Sequence, residues 1–516
     1  MRSVTRKRDS APLGRGASSL FPTPPDSMPS AHGPHARNAE HDAVVVGGGP
    51  NGLAAAVTLA EAGRSVLVLE ANSRLGGAAR TGALTEPGFR HDLGSAIHPL
   101  GVASPFLRKL PLGEHGLEWI WPEVPAAHPL PTGRAVLQHH ALGETTAALG
   151  RDGENWRRLM EPLVRDWRKA LGEILRPMLH VPRAPVALGR FGLRAVWPAA
   201  GLVKALFRGK EARALFAGHA AHANLPLSAP GSAAFGLVLA MLGHAVGWPL
   251  PRGGAQAITD ALASYLRALG GEIRTGHRVT SLAGDVPPAR AVLFDTAPRQ
   301  LANIARDALP RRYRRRLRSY RRGPAAFKTD FALSEPIPWA NDNVKKAGTV
   351  HVCGPAAEVA ASEQVVAEGR APERPFVLLA QHSLFDDTRA PADRHTAWAY
   401  CHVPNGWDGN RQKMAARLTG QIERFAPGFR DCVIQQTISA PADLERQNAA
   451  LVGGDINGGA MDLVQLVARP TLSLTPYRTP AEGLYLCSAS TPPGGGVHGM
   501  CGHLAARTAV RDLQRG

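Results

Sequence analysis

The residues best placed to do chemistry are a group of glycines and one acid near residue 50. Gly47, Gly49 and Gly52 have the spacing G-x-G-x-x-G, and Glu70 follows 18 residues after Gly52. Glycines at these positions allow a tight turn, a close approach of the backbone to a diphosphate, and close packing of the next helix. The acid is placed to bind ribose hydroxyls and disfavours a 2′-phosphate. The pattern predicts a site for a dinucleotide, FAD or NAD rather than NADP.

A strand, a helix and a second strand must position this loop. Residues 43–46 form a short buried-strand pattern, residues 53–62 have a helical Ala/Leu pattern that ends at Gly63, and residues 65–69 predict the second strand. These elements make one βαβ unit. Because no second unit with its own phosphate-binding loop follows in the sequence, we expect no stable NAD(P) site.

A glycine doublet just after the acid distinguishes between the two dinucleotides. Gly76 and Gly77 lie between the cations Arg74 and Arg80. A second close approach of the backbone suits a longer ligand with a diphosphate and a ribityl chain. We therefore expect FAD, with Arg74, Gly76 and Gly77 among its contacts.

The C-terminal region contains a third glycine-rich loop. Residues 484–487 predict a strand, and a helix is expected from about Gly502. Between this strand and this helix, prolines fix the loop and glycines leave much of it without side chains. Backbone N–H groups at the helix N-terminus are therefore expected to face the ligand and to stabilise negative charge on a reduced flavin. The predicted contacts are Gly495, Gly496, Val497, His498 and Gly499.

Several long motifs in a fixed order carry a family resemblance. They are GGGPNGLAAA from Gly47, RLGGAART from Arg74, GFRHDLGS from Gly88, PRGGAQAITDAL from Pro251, FKTDFALSEPIPW from Phe327, PFVLLAQHSLFDDTRAP from Pro375, TAWAYCHVP from Thr396 and SASTPPGGGVHGMCG from Ser488. With them the chain resembles the phytoene desaturase-like, or carotenoid and retinoid oxidoreductase, family of FAD enzymes. Within that family it is most similar to the branch named for a pyridine nucleotide-disulfide oxidoreductase domain.

The resemblance implies an α/β fold: a two-domain FAD-binding flavoprotein, Rossmann-like and of the glutathione-reductase or amine-oxidase type, with an α+β substrate domain. Residues 41–120, 250–305 and 470–516 would form a discontinuous FAD domain, and residues 121–249 and 306–469 the substrate domain. It further implies that a strand at 278–280 contacts the adenine through the backbone of Val279. FAD would be bound noncovalently.

The implied reaction is oxidation of an apolar or amphipathic organic substrate, by desaturation or isomerisation, with hydride transfer to the flavin. Oxygen, a quinone or another carrier would accept the electrons. His98 and His498 are the candidates for acid or base work because imidazole titrates near neutral pH. For each of them a structural, hydrogen-bonding histidine is the favoured interpretation. Tyr400 and His402 are candidates for the cavity wall or for a packed strand.

Two other functions remain open. A flavin amine oxidase shares the loop, the acid and the doublet, and Cys487 or Cys501 would be the candidate for covalent attachment. A non-catalytic, regulatory flavoprotein would act through a partner surface such as the arginine-rich run at 311–322.

Composition excludes several classes of protein. Among 516 residues, 44% are hydrophobic and 20% are charged, which excludes a wholly disordered chain and a polytopic membrane protein. The net charge of +18 owes much to the run at 311–322, which holds eight arginines and no acid. We interpret this run as a solvated helix face and expect no nucleic-acid partner. The amphipathic segment 186–208, which Pro198 interrupts, is interpreted as a surface helix, with peripheral membrane contact as the alternative.

The remaining expectations concern metals, the tail and location. No metal-ligand spacing occurs, so we expect no metal site. Residues 1–40 are rich in proline and arginine and are interpreted as a disordered basic tail. Five scattered cysteines suggest an intracellular protein, cytoplasmic or, in a eukaryote, in the mitochondrial matrix. Oligomeric state cannot be read from the sequence.

Overall fold

The computed structural model describes residues 40–515, so the predicted tail lies, except for Glu40, outside the described residues. The strands are β1 His41–Val46, β2 Val66–Leu69, β3 Thr81–Gly82, β4 His91–Asp92, β5 Trp119–Ile120, β6 Val124–Pro129, β7 Ala135–Gln138, β8 Leu250–Pro251, β9 Glu272–Arg274, β10 Ala289–Phe294, β11 Ala325–Leu333, β12 Ala347–Val352, β13 Val377–Ala380, β14 His395–Val403, β15 Val433–Ser439 and β16 Leu484–Leu486. The helices are α1 Pro50–Glu61, α2 Pro99–Ala103, α3 Leu142–Ala148, α4 Gly153–Arg165, α5 Trp167–Ile174, α6 Pro185–Ala195, α7 Ala199–Leu206, α8 Lys210–Ala221, α9 Ala233–Ala245, α10 Gln256–Ala268, α11 Leu282–Asp285, α12 Pro298–Ile304, α13 Arg311–Arg318, α14 Ala356–Ala367, α15 Arg411–Phe425, α16 Phe429–Cys432, α17 Pro441–Gln447, α18 Leu463–Val467 and α19 Met500–Leu513.

A five-stranded sheet carries the glycine loop. Its order is β16-β10-β1-β2-β9, and every neighbouring pair is parallel. Alternating residues of β1 pack into the hydrophobic cores on opposite faces of the sheet. Ala43 and Val45 pack toward α1 and α19, and Val44 and Val46 pack toward α12 and α13. A sheet covered by helices on both faces explains why its strands are continuous apolar runs.

A seven-stranded sheet forms the other layer. Its order is β15-β11-β14-β13-β12-β6-β7, mostly antiparallel, with β12 parallel to β6. One face packs against α15 through residues such as Phe327, Leu379 and Leu418. The register pairs Lys328 with Tyr400, so both side chains lie on the opposite face.

Helices α4 to α9 form a helical layer that packs against this opposite face. Helix α8 packs against α9 and α14, and α6 packs against α9. The apolar helix α9 is buried along most of its length. Across residues 40–515, the helices are too short or too polar to cross a membrane.

The structure corrects one element. Residues 278–280 form no strand: β9 ends at Arg274, and the chain then runs as a loop in which the His277 N–H donates to the Glu70 carbonyl oxygen at 2.8 Å. A glycine with φ of +70°, Gly276, turns the chain away from the sheet after β9. The strand expected around Val279 is therefore wrong.

Candidate functional site

One cavity of about 360 Å³ connects the two sheets. At one end it is lined by the glycine loop and Glu70, and at the other by aromatic and aliphatic side chains of the seven-stranded sheet and α9. Several elements from distant parts of the chain therefore meet in a single site.

The glycine loop joins β1 to α1 at the carboxyl edge of the parallel sheet. Gly47 has φ of +108°, and a Cβ on Gly52 would lie 2.0 Å from the Gly47 carbonyl oxygen. Gly49 precedes the first helical residue, Pro50, and, being a glycine, it has no side chain that could cap the helix. The positive end of α1 thus faces the cavity with little side-chain cover.

Glu70 lines the same end of the cavity and fastens the loop. Its Oε2 accepts from the Gly48 N–H at 2.7 Å, and its Oε1 accepts from both the backbone N–H and the side-chain amide of Asn72 at 2.8 Å. Both carboxylate oxygens accept from protein donors, and Oε2, which accepts only from Gly48, retains lone-pair capacity for a ribose hydroxyl. Glu70 therefore has a structural role besides the predicted binding role.

The glycine doublet of Gly76 and Gly77 lies against the glycine loop. A Cβ on Gly77 would be 3.1 Å from the Gly49 Cα. Arg80 fixes the doublet, because its guanidinium donates to the carbonyl oxygens of Gly77 and Gln447. Arg74, by contrast, is exposed and does not line the cavity.

An acid that the sequence reasoning missed lies on the other side of the loop. Asp295 follows β10 directly, lines the cavity, and accepts from the Gly52 N–H through Oδ2 at 2.8 Å. Burial raises the pKa of this carboxyl to about 7. The available signal was an acid placed immediately after the buried strand pattern 291–294, where parallel strands present their carboxyl ends.

The C-terminal loop forms the middle of the cavity wall. Gly495, Gly496 and Val497 line it. Helix α19 then packs so closely on α1 that a Cβ on Gly502 would lie 1.8 Å from the Asn51 carbonyl oxygen. This contact fixes the position of the C-terminal loop relative to the glycine loop.

The two candidate histidines have different positions. His98 lines the cavity, whereas His498 does not, and its Nδ1 accepts from the Met500 N–H at 3.0 Å. His498 therefore caps α19, which satisfies one of the N–H groups expected to face the ligand. Burial lowers the pKa of each imidazole to about 4, so both rings are neutral at neutral pH.

Beyond the C-terminal loop the cavity is mostly apolar. Its wall there is formed by His222, Phe235, Leu239, Trp248, Lys328, Thr349, Leu378, Ala380, Trp398 and Tyr400. The rings of Trp398 and Tyr400 lie 5.0 Å apart at an interplanar angle of 69°. His402, two residues further along β14, does not line the cavity and pairs with the buried Glu363 at 2.8 Å.

Lys328 brings a buried charge to this apolar wall. Its ammonium pairs with Asp330 on the same strand, and the Asp330 Oδ1 lies 3.7 Å from His91 Nδ1. Burial lowers the pKa of Lys328 and raises that of Asp330 to about 6, and the mutual attraction of the pair opposes both shifts. A second buried pair, Arg389 with Asp92 at 2.6 Å, lies within the same charged cluster.

The structure thus brings together part of the predicted set. Those that line the cavity are Gly47, Gly49, Glu70, Gly77, His98, Gly495, Gly496 and Val497. Those that do not are Gly52, Arg74, Gly76, Val279, His498 and Gly499. Val279 is buried in the core beneath β1 and β2. Asn51, Asn72, Asp295 and Lys328 line the cavity without having been predicted.

The nucleotide end fits a dinucleotide on steric grounds. A Cβ on Gly49 would lie 2.8 Å from Asp295 Oδ2 and 3.8 Å from the Gly77 Cα, so only a residue without a side chain leaves this slot open. The positive end of α1, which no side chain of its own segment caps, adds a favourable field for a diphosphate.

Comparisons with known proteins agree with this geometry. Residues 45–110 match the model of an NAD(P)-binding Rossmann-like domain. A solved structure of a putrescine oxidase variant has a TM-score of 0.61 at 19% identity and covers 92% of this chain and 99% of its own. A 63-residue stretch, 12% of this chain, is 52% identical to all-trans-retinol 13,14-reductase of Danio rerio, 10% of which it covers.

Fold, site and comparisons define the class of the protein as an α/β protein with a Rossmann-like dinucleotide-binding domain, and the predicted α/β fold class is confirmed. Over nearly its whole length the chain is similar to pyridine nucleotide-disulfide oxidoreductase domain-containing protein 2 of Rattus norvegicus, with 28% identity across 92% of this chain and 94% of the relative. The resemblance to the branch named for a pyridine nucleotide-disulfide oxidoreductase domain is thereby confirmed.

Proposed function

We propose that the chain binds one FAD noncovalently and acts on an apolar or amphipathic organic substrate, either oxidising it by desaturation or isomerising it without net oxidation, in the manner of the phytoene desaturase-like family. The observation that carries the proposal is the continuous cavity, which joins the glycine loop at one end to an apolar wall at the other. When bound, a flavin supplies the hydride acceptor. Oxygen, a quinone or another carrier then takes the electrons.

The chain's own residues contribute binding, orientation and exclusion of water. The N-terminus of α1, Glu70 and Asn72 would hold the nucleotide, and residues 495–497 would hold the ring system. Phe235, Leu239 and Leu378 keep the far end dry and favour an apolar substrate. His98 is the cavity histidine, and its neutral ring is able to accept or donate a hydrogen bond.

Noncovalent binding is supported by the state of the two candidate cysteines. Neither Cys487 nor Cys501 lines the cavity, and both are buried. Burial raises the pKa of Cys487 well above its usual value and that of Cys501 to about 11. Since the thiolate is the nucleophile, both groups are poorly suited to attack a flavin.

Amine oxidation is a second candidate. It is supported by the inclined pair Trp398 and Tyr400 in the cavity wall, which offers aromatic faces to a cationic or apolar amine, and by the similarity in fold to putrescine oxidase. Hydrogen peroxide release on addition of amines, measured with the flavin-loaded protein, separates this candidate from a desaturase. A desaturase is expected to release no hydrogen peroxide with amines. Its flavin absorbance is expected to bleach under anaerobic conditions when an apolar polyene precursor is added.

The cofactor proposal is tested with two glycine variants. Gly49→Ala places a methyl group in the slot beside Asp295, whereas Gly143→Ala in α3 adds one where nothing lies within 4 Å. We expect a flavin absorbance spectrum after purification or reconstitution for the parent and for Gly143→Ala, and at least a tenfold weaker FAD affinity for Gly49→Ala. A parent protein that cannot be loaded with FAD contradicts the proposal.

Peripheral membrane contact is also proposed, with an anionic lipid surface as the partner. Seven large apolar side chains are exposed within a short stretch, namely Met178, Leu179, Val181, Val186, Leu193, Val196 and Trp197. The surrounding sequence, residues 176–208, holds six arginines and lysines and no acid, which complements anionic lipid headgroups. Helix α6 of this stretch packs on α9, whose Phe235 and Leu239 line the cavity.

A further inference from the structure

Asp295 holds the start of helix α1 from a distant strand. Its Oδ2 accepts from the Gly52 N–H at 2.8 Å across 243 residues of sequence. The helix has no side-chain cap within its own segment, so this carboxylate takes the place that a capping residue fills elsewhere. It does so inside the cavity, next to Gly49.

The same helix end is where the diphosphate of a dinucleotide binds in this loop architecture. A carboxylate and a diphosphate would then compete for the same N–H groups and for the same positive end of the helix. Two anions brought that close repel each other strongly in a site largely removed from water. Protonation of the carboxyl removes the repulsion.

The surroundings of Asp295 favour its protonation. The titratable groups that face it are Glu70, from the end of β2, and the buried thiols of Cys487 and Cys501. Burial is the main cause that raises the pKa of Asp295 to about 7, the charge of Glu70 adds to it, and the bond from Gly52 opposes it. A diphosphate adds negative charge and raises this pKa further.

We propose that binding of the dinucleotide is coupled to the uptake of one proton at Asp295. With the site free, the carboxylate caps α1 as an anion in a growing fraction of molecules as the pH rises. With the diphosphate bound, the carboxyl carries a proton taken from solvent, and no bond to the cofactor forms or breaks. This inference rests on the proposed FAD site.

Linkage fixes the expected pH dependence. Since the bound state holds more protons than the free state, affinity falls as the pH rises above the value at which free Asp295 titrates, by up to about tenfold per pH unit. Oxidised FAD keeps one charge state across neutral pH, so it is the appropriate probe. ADP is not a suitable probe, because its terminal phosphate titrates in this pH range.

The test measures FAD binding to the flavin-free protein by fluorescence quenching from about pH 6 to about pH 9, and by calorimetry in two buffers of different ionisation enthalpy. The variant is Asp295→Asn, whose amide oxygen still accepts from Gly52, and the control is Asp307→Asn, an acid that is 91% exposed. We expect a falling affinity and uptake of about one proton in the parent and in the control. For Asp295→Asn we expect an FAD affinity that does not fall with pH, and no proton uptake on binding.

Three results would overturn the inference. The first is a parent that binds FAD without proton uptake, and this result does not depend on the folding of any variant. The second is an Asp295→Asn variant with the same pH slope as the parent. The third is a parent that binds no FAD at any pH, which removes the proposed function as well, so the two failures are distinguishable.

Discussion

Glu70 and Asp295 fasten the glycine loop from opposite sides. Glu70 Oε2 accepts from the Gly48 N–H at 2.7 Å, and Asp295 Oδ2 accepts from the Gly52 N–H at 2.8 Å. The two acids follow β2 and β10, the strands on either side of β1. Carboxyl ends of adjacent parallel strands meet at one edge, so two acids far apart in sequence flank one turn. The loop therefore owes its shape to carboxylates as well as to glycines.

Replacement of Glu70 should affect stability and cofactor binding together. Glu70→Ala removes an acceptor from Gly48 and from Asn72, and each hydrogen bond to a charged group contributes about 1.5 to 3 kcal/mol. We expect the flavin-free variant to unfold at a temperature several degrees lower and to bind FAD at least tenfold more weakly. Calorimetry of the flavin-free protein and FAD titration measure the two effects.

Glu70→Gln provides the control for this prediction. The amide has nearly the same volume and keeps one acceptor oxygen, for either Gly48 or Asn72, but its NH2 group faces an N–H donor on the other side. We therefore expect only part of the stability to return, while FAD affinity stays reduced. If Glu70→Ala were as stable as the parent, the hydrogen bonds to Gly48 and Asn72 would have no role in holding the loop.

The sequence predicts the local elements of the cofactor end well. The strand at 43–46, the helix at 53–62 and the strand at 65–69 appear as β1, α1 and β2 with small shifts at their ends. Periodicity and glycine spacing act over a few residues, so they are visible in one segment of chain. The division into residues 41–120, 250–305 and 470–516 against the remainder stays a prediction.

The rest of the site depends on contacts that sequence patterns do not record. Asp295 and Lys328 occur in strand patterns that have several possible registers and neighbours, and only pairing with β1 or β14 shows that they face the cavity. Val279 illustrates the reverse case. The family resemblance implies a strand at 278–280, yet Gly276 turns the chain and leaves Val279 in a loop against the core.

Lys328 should be required for stability more at neutral than at acidic pH. Lys328→Met leaves the buried Asp330 without its partner, and breaking a buried ion pair in this way typically costs about 3 to 5 kcal/mol. The loss of Lys328 raises the pKa of Asp330 above its present value of about 6. Because a protonated carboxyl carries no unpaired charge, the destabilisation should be smaller at about pH 5 than at about pH 8.

Urea denaturation of the flavin-free variants at the two pH values tests this prediction. The double variant Lys328→Met with Asp330→Asn removes both charges and should recover a large part of the lost stability at about pH 8. A single variant with the same loss at both pH values would mean that Asp330 stays charged without Lys328, contrary to the expectation.

The buried imidazoles should make the protein sensitive to mild acid. Burial lowers the pKa of His128 and of His219 to about 4, and that of His351 well below its usual value. Between about pH 6.5 and about pH 4 the unfolded chain therefore binds more protons at these positions than the folded chain. Stability should fall with decreasing pH across this range, by about 1.4 kcal/mol per pH unit for each such residue.

The variant His128→Gln checks this slope. We expect its unfolding free energy to depend on pH less steeply than that of the parent, by about one proton, whatever its stability at neutral pH. His140→Gln, at an exposed position, serves as the control and should keep the parent slope. Equal slopes in all three proteins would show that His128 does not resist protonation in the folded state.

The exposed apolar stretch should determine binding to anionic membranes. Val181 is 89% exposed and Leu193 is 72% exposed, and burial of such a side chain in an apolar medium contributes about 1.5 to 3 kcal/mol. In sedimentation with vesicles that contain phosphatidylglycerol, the pair Val181→Ser and Leu193→Ser should lower the bound fraction at least tenfold. The matched pair Val464→Ser and Leu474→Ser, at positions 74% and 80% exposed outside this stretch, should leave binding unchanged.

Because the six cations of residues 176–208 add attraction to anionic headgroups, binding of the parent should also weaken with salt and on neutral vesicles. Equal binding by the two double variants would assign the contact to another surface.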